Sequence, residues 1–145
     1  MYPYTKRPED RIIAWREFRQ TITDNSKPTL ETIVTFWSGV PVGTRVLEWD
    51  RPDNWPTPWE AINDNAFCDD MRAYMTYQTL LLSNIPATLY HIKTFNEELM
   101  VVSCNGYVLN FSFNEVVTVS GMLEEFEIDY EYFETPEGFD FKRVA

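Results

Sequence analysis

Cys68 is the residue of this chain whose position most invites chemistry. Residues 55–82 read as two successive helices with the cysteine at their joint. Thr57, Pro58 and Glu60 form a helix start: the threonine caps, the proline suits the first helical position, and the glutamate closes a capping box. Asn63, Asp64 and Asn65 break that short helix. A longer helix opens after Cys68, with Asp69 and Asp70 in its first turn, where carboxylates meet the positive end of the helix dipole. Met71, Tyr74, Met75, Gln78, Leu81 and Leu82 recur on one face of it at helical spacing. A cysteine at a helix start is where a thiolate is stabilised, so Cys68 is the candidate nucleophile.

The sole histidine, His91, falls in a run that reads as a strand over residues 88–94. Two roles fit it, a structural residue or a base recruited to Cys68, and strand alternation ties its face to that of Leu89. Cys68, His91, Cys104 and Asp69 lack the C-x-x-C or H-x-x-x-H spacing of a metal site. With only 5 glycines there is no phosphate-cradling loop. No metal and no cofactor is expected. Cys68 and Cys104 can pair in an oxidising compartment, but two reduced thiols are expected inside a cell. Glu97–Glu98 and Glu124–Glu125 read as solvated strand ends. Trp49, Trp55, Trp59 and Phe67 read as core aromatics that can also wall a cleft beside the cysteine. Trp55 and Trp59 are expected to be largely buried, bracing the loop that presents it.

Around these residues lies a globular chain of 145 residues, 44% hydrophobic and 16% aromatic. Its formal net charge of -11 argues against nucleic acid and against anionic membrane surfaces. No apolar run reaches the roughly 18 residues of a membrane span, and the first ten residues lack the apolar segment of a signal peptide. A cytoplasmic location is expected. Residues 3–8 read as an extended arm and 9–20 as an amphipathic helix. A second helix starts near 26–28, buries Leu30, Ile33, Val34 and Trp37, and stops at Gly39 and Pro41. Residues 45–49 read as a short strand. After Pro86 the period becomes that of strands, over 88–94, 99–104, 107–113 and 116–119, with Asn105–Gly106 as a hairpin turn. Over residues 126–133, Phe126, Ile128, Tyr130 and Tyr132 alternate with Glu127, Asp129 and Glu131, giving one buried and one acidic face. Helices first and antiparallel strands after is the α+β pattern. One domain is expected, comprising an arm and helices over 1–52, a core over 53–119 and an acidic strand over 120–145.

The run Asp53-x-Trp55-x-Thr57-Pro58-x-Glu60-x-Ile62, followed by Cys68-Asp69-Asp70-x-x-Ala73, resembles the bacterial transglutaminase-like cysteine proteinases. Their pattern is W-x-[ST]-P-x-E, a short loop, then G-D-C-E-D. Asn84-Ile85-Pro86 resembles their turn after the helix, and Gly106-Tyr107-Val108-Leu109-Asn110 their strand ending V-L-D-N. The resemblance covers roughly residues 53–117. It implies a papain-like arrangement, with the nucleophile at the start of a helix packed on an antiparallel sheet. It implies Cys68 as nucleophile and Asn110 as the group orienting a histidine, where the family usually has aspartate. The family's histidine strand corresponds to residues 98–103, and Glu98 stands at or beside the histidine position. Ala66 and Phe67 replace the glycine and aspartate before the cysteine. His91, seven residues ahead of Glu98, is the one imidazole left to serve as base.

Two functions follow. One is a degenerate transglutaminase-like domain that binds a protein partner or joins an assembly, in the style of a bacteriophage accessory or virion protein, in host cytoplasm or virion. The missing histidine favours it, and residues 1–8 are an arm of the docking kind. The other is an active thiol hydrolase or transferase acting on amides. Carboxylates near a thiol disfavour its thiolate, so Cys68 is expected to be protonated at pH 7 with little or no peptidase activity.

Overall fold

The computed structural model describes residues 1–43, 45–111, 115–118 and 126–144. Four helices come first: α1 (Pro8–Gln20), α2 (Lys27–Ser38), α3 (Pro58–Asp64) and α4 (Asp69–Leu82), with a 3-10 turn at Pro52–Asn54 before α3. Six strands follow: β1 (Thr88–Thr94), β2 (Glu98–Cys104), β3 (Tyr107–Leu109), β4 (Val116–Thr118), β5 (Phe126–Thr135) and β6 (Gly138–Arg143). They form one antiparallel sheet in the order β4-β3-β2-β1-β5-β6. The architecture is α+β, with helices packed on one face of the sheet. Residues 112–114 and 119–125 lie outside the described residues. With them lie Glu124–Glu125 and the far ends of the strands read at 107–113 and 116–119.

Local chemistry fixes the helices. Both halves of the capping box at Thr57 and Glu60 form, and Asn65 ends α3 in the left-handed conformation at φ 53°. The α2 face Leu30, Ile33, Val34 and Trp37 is buried as its spacing predicts. Helix α4 differs from its predicted stripe. Every residue from Ala73 to Leu80 is buried, while Leu82 is 38% exposed. The helix is enclosed because α2, β1 and β2 all pack against it. Such a site takes polar residues only when they are bonded. Thr79 Oγ1 accepts the indole N–H of Trp15 and of Trp37, each at 3.0 Å, and donates to the Met75 carbonyl at 2.6 Å.

Three other segments depart from expectation. The N-terminal arm lies on its own domain. Tyr2 is 2% exposed among Phe36, Trp37 and Phe67, its N–H meets the Phe36 carbonyl, and its hydroxyl donates to Asn65 Oδ1 at 2.7 Å. Residues 45–49 form no strand. The stretch before them is held by a single parallel bridge, Val42 to Phe67, and by Gly43 N–H to the Phe67 carbonyl at 2.9 Å. The C-terminal stretch is a hairpin of β5 and β6, with β5 lying against β1.

Strand β5 does not keep one buried face. Its pairing with β1 shifts by one residue, since His91 faces Tyr130 and Ile92 faces Ile128, leaving Asp129 unmatched. This bulge reverses the alternation. Phe126 and Ile128 pack with Ile92, Val101 and Val108 on the outer face, whereas Tyr132 joins the core under the helices. The expected acidic face therefore breaks at Asp129, whose side chain is 14% exposed.

Candidate functional site

Cys68 is the N-cap of α4, extended at φ -122° and ψ 174°, and its carbonyl accepts the Met71 N–H at 3.1 Å. The bonds between residues 42–43 and Phe67 draw the following loop over it, so that buried Leu47 lies beside the sulfur. Cys68 is half-buried and Cys104 buried, and no disulfide joins them. Burial pushes the Cys68 thiol above its ordinary pKa, and the Asp70 carboxylate adds to the rise. The backbone N–H groups of Met71, Leu47 and Asp70 pull the other way.

A cavity of about 530 Å³ opens at this sulfur, lined among others by Leu47, Cys68, Asp70, Glu98 and Asn110. Asn110 follows the last residue of β3 in the left-handed region at φ 70°, and its Oδ1 is buried without a hydrogen-bond partner among the described residues. Glu98, at the start of β2, brings a carboxylate where the resemblance places an imidazole. Asp69, exposed, pairs with Arg72 at 3.1 Å.

His91 does not line this cavity. It shares the helix side of the sheet with Leu89, as strand alternation requires, and is 2% exposed. The indole of Trp49 stacks on it at 4.6 Å between centroids, and Tyr130 lies 6.0 Å away. Its Nδ1 stands 3.3 Å from Asp129 Oδ2, and its Nε2 4.0 Å from Glu98 Oε2. Neither Nδ1 nor Asp129 Oδ2 has a hydrogen-bond partner among the described residues, so the short contact is not an aligned hydrogen bond. Lys93 Nζ completes the cluster, 3.7 Å from Glu98 and 3.8 Å from Asp129. Asp70 is coupled to both regions. Its Oδ1 accepts the Met100 N–H at 3.1 Å, burial pushes its pKa up, and the charge of His91 draws it down.

Of the three residues expected to act together, then, Cys68 and Asn110 share a cavity and His91 stands outside it. Asp129 and the stacking of Trp49 were missed from sequence, because a one-residue bulge leaves no mark in the alternation of a single strand. Trp55 is partly buried, but Trp59 is 43% exposed, resting on Trp15 by an edge at 5.9 Å. The core there is already filled by Trp15 and Trp37. No helix among the described residues is long and apolar enough to cross a membrane.

No model of a known protein family matches the chain, and no curated protein matches it. Solved structures do. Calcium-bound LapG from Legionella pneumophila superposes with a TM-score of 0.70 at 18% identity, over 97% of this chain and 83% of that one. A second LapG structure gives 0.68 at 19% identity, over 87% and 74%. The EGTA-treated form gives 0.68 at 18% identity over the same shares. At such identity the likeness shows the fold, which is the transglutaminase-like one.

Proposed function

We propose, starting from the transglutaminase-like fold, that the chain acts as one domain that binds a protein partner as a component of an assembly, using the cleft beside Cys68 without cleaving what it holds. The observation that carries this reading is the place of the sole histidine, packed against Trp49 and Asp129 and absent from the lining of the Cys68 cavity. A cysteine attacks an amide once a base has taken its proton. Here the cavity offers carboxylates such as Asp70 and Glu98 beside Arg45 and Arg72, and burial first, then the Asp70 charge, favours the neutral thiol. What remains is a recess large enough for a few partner side chains. Calcium is bound in one LapG structure. Among the described residues of this chain, no group of three or more His, Cys, Asp or Glu is placed to hold a metal ion, and no step here depends on one.

A second reading, a thiol hydrolase or transferase acting on amides, is favoured by one observation. Cys68 and Asn110 line the same cavity, and among the described residues none donates a hydrogen bond to the Asn110 Oδ1. The deciding experiment is a titration of the Cys68 thiol in a Cys104→Ser background, followed by an assay on generic amide and peptide substrates. The binding reading expects a pKa above the free-cysteine value of about 8.5 and no turnover. A pKa below it, with turnover abolished in Cys68→Ala, restores the enzyme.

A further inference from the structure

A second cavity, of about 370 Å³, lies along the other half of α4 and shares no lining residue with the first. Its aromatic wall is Trp55, Tyr74 and Phe139, with ring centroids 5.5–5.9 Å apart. The Tyr74 hydroxyl donates to the Pro56 carbonyl at 2.6 Å, which fixes the tryptophan-bearing loop against the helix. Trp59 stands at the rim with 43% of its surface exposed. An indole this exposed contributes little to the core, and its free face is available to a ligand.

The charged residues that line this wall have one sign. Asp53, Glu134 and Glu137 line the cavity, and no lysine or arginine does. Asp53 is held by Arg51 at 3.3 Å, while no ion pair engages Glu134 or Glu137 among the described residues. The field of Glu134 reaches inward. Burial pushes the hydroxyls of Tyr74 and Tyr77 up, and Glu134 raises both further. Aromatic faces attract a cation through their quadrupole, and a carboxylate beside them pairs with the same cation. Arginine meets both demands, being planar and weakly hydrated.

We propose that this groove is a docking site for an arginine-bearing segment of a partner protein, with the guanidinium lying on Trp59 and Trp55 and paired by Glu134 and Glu137. The proposal is independent of what Cys68 does, and its failure would leave the reading of that cleft untouched.

The probe is a short, amidated peptide of alternating arginine and proline, with lysine and citrulline counterparts, added to the full chain. Binding is followed by tryptophan fluorescence and by the indole N–H shifts of Trp55 and Trp59. The expected order is arginine, then lysine, then citrulline, the last at least about tenfold weaker. Glu134→Gln with Glu137→Gln should weaken the arginine peptide about tenfold, and Trp59→Ala similarly. Glu17→Gln with Glu31→Gln, which removes the same charge from α1 and α2, should leave affinity within about twofold. The proposal fails if no peptide binds, if citrulline binds as well as arginine, if the two double variants weaken binding equally, or if the indole shifts of Trp55 and Trp59 do not move.

Discussion

The recess at Cys68 and the cluster at His91 place a thiol and an imidazole in different surroundings. At Cys68 the chain opens into a cavity, with a half-buried thiol, an asparagine oxygen lacking a partner among the described residues and carboxylates on the wall. At His91 it is closed, with the imidazole stacked on Trp49 and flanked by Asp129, Glu98 and Lys93. The first region has a thiol and no imidazole, the second an imidazole and no thiol. A histidine stacked on an indole and 2% exposed is held by its packing, between two strands and a loop. Asp70, bonded to the β2 backbone and coupled to both groups, keeps the field acidic between them.

The sharpest way to break this contrast is to truncate each centre. His91→Ala removes the stacking partner of Trp49 and leaves the Asp129 carboxylate with Lys93 alone, and should cost about 3 kcal/mol in urea unfolding. Cys68→Ala should cost about 1 kcal/mol or less. Equal costs would mean that His91 is not the structural member of the pair.

Alkaline pH should undo the closed regions next. Burial pushes Tyr2 and Tyr77 up to about 12 and raises Tyr74 and Tyr132 as well. Tyr132 donates to the Trp49 carbonyl beside His91. Since folding raises these values above the usual tyrosine value of about 10, the stability they represent is complete below that pH. It is lost as pH rises toward 12. The urea midpoint should therefore fall steeply between those limits. A flat profile there would show that these hydroxyls ionise freely in the native state.

A smaller effect separates the two groups that Asp70 touches. Asp70→Asn should lower the Cys68 pKa and speed its alkylation at neutral pH by about fivefold, whereas Asp69→Asn, at an exposed carboxylate already paired with Arg72, should change it less than twofold. Stability should not fall in Asp70→Asn. Folding raises the Asp70 pKa, so its contribution is greatest at acid pH and declines as pH rises through the folded value. Identical alkylation rates in the two variants would remove Asp70 from the account. The smallest change is expected for Trp59→Ala, about 1 kcal/mol or less despite the size of the side chain, because the indole is 43% exposed. A loss of about 3 kcal/mol or more would return Trp59 to the core.

What the sequence disclosed was chemistry that acts over three or four residues. The capping box at Thr57 and Glu60, the α2 stripe from Leu30 to Trp37 and the turn at Asn105–Gly106 depend on near neighbours, and each forms. What it concealed depends on partners far along the chain. Asp129 is unmatched only because β1 has one residue fewer at that point. Tyr2 is buried because Phe36, Trp37 and Phe67 leave room for it. Leu82 and Trp59, apolar and at plausible positions, stay 38% and 43% exposed because no described element covers their outer faces. The meeting of Cys68 with Asn110 is of the same long-range kind, and the resemblance to a family, not the spacing, was what brought them together.

The hydroxyl of Thr79 has one proton and two lone pairs, and all three are in use, by Met75, Trp15 and Trp37. Its valence is saturated in the way a metal centre's can be, and three helices meet at one oxygen. Valine keeps the shape but strands two indole donors, alanine adds a void, and serine alone preserves the connectivity. Among relatives of this chain, Trp15, Trp37 and Thr79 should therefore vary as a set: where one indole becomes phenylalanine the hydroxyl loses half its purpose, and where both do, a valine at position 79 becomes an acceptable resident.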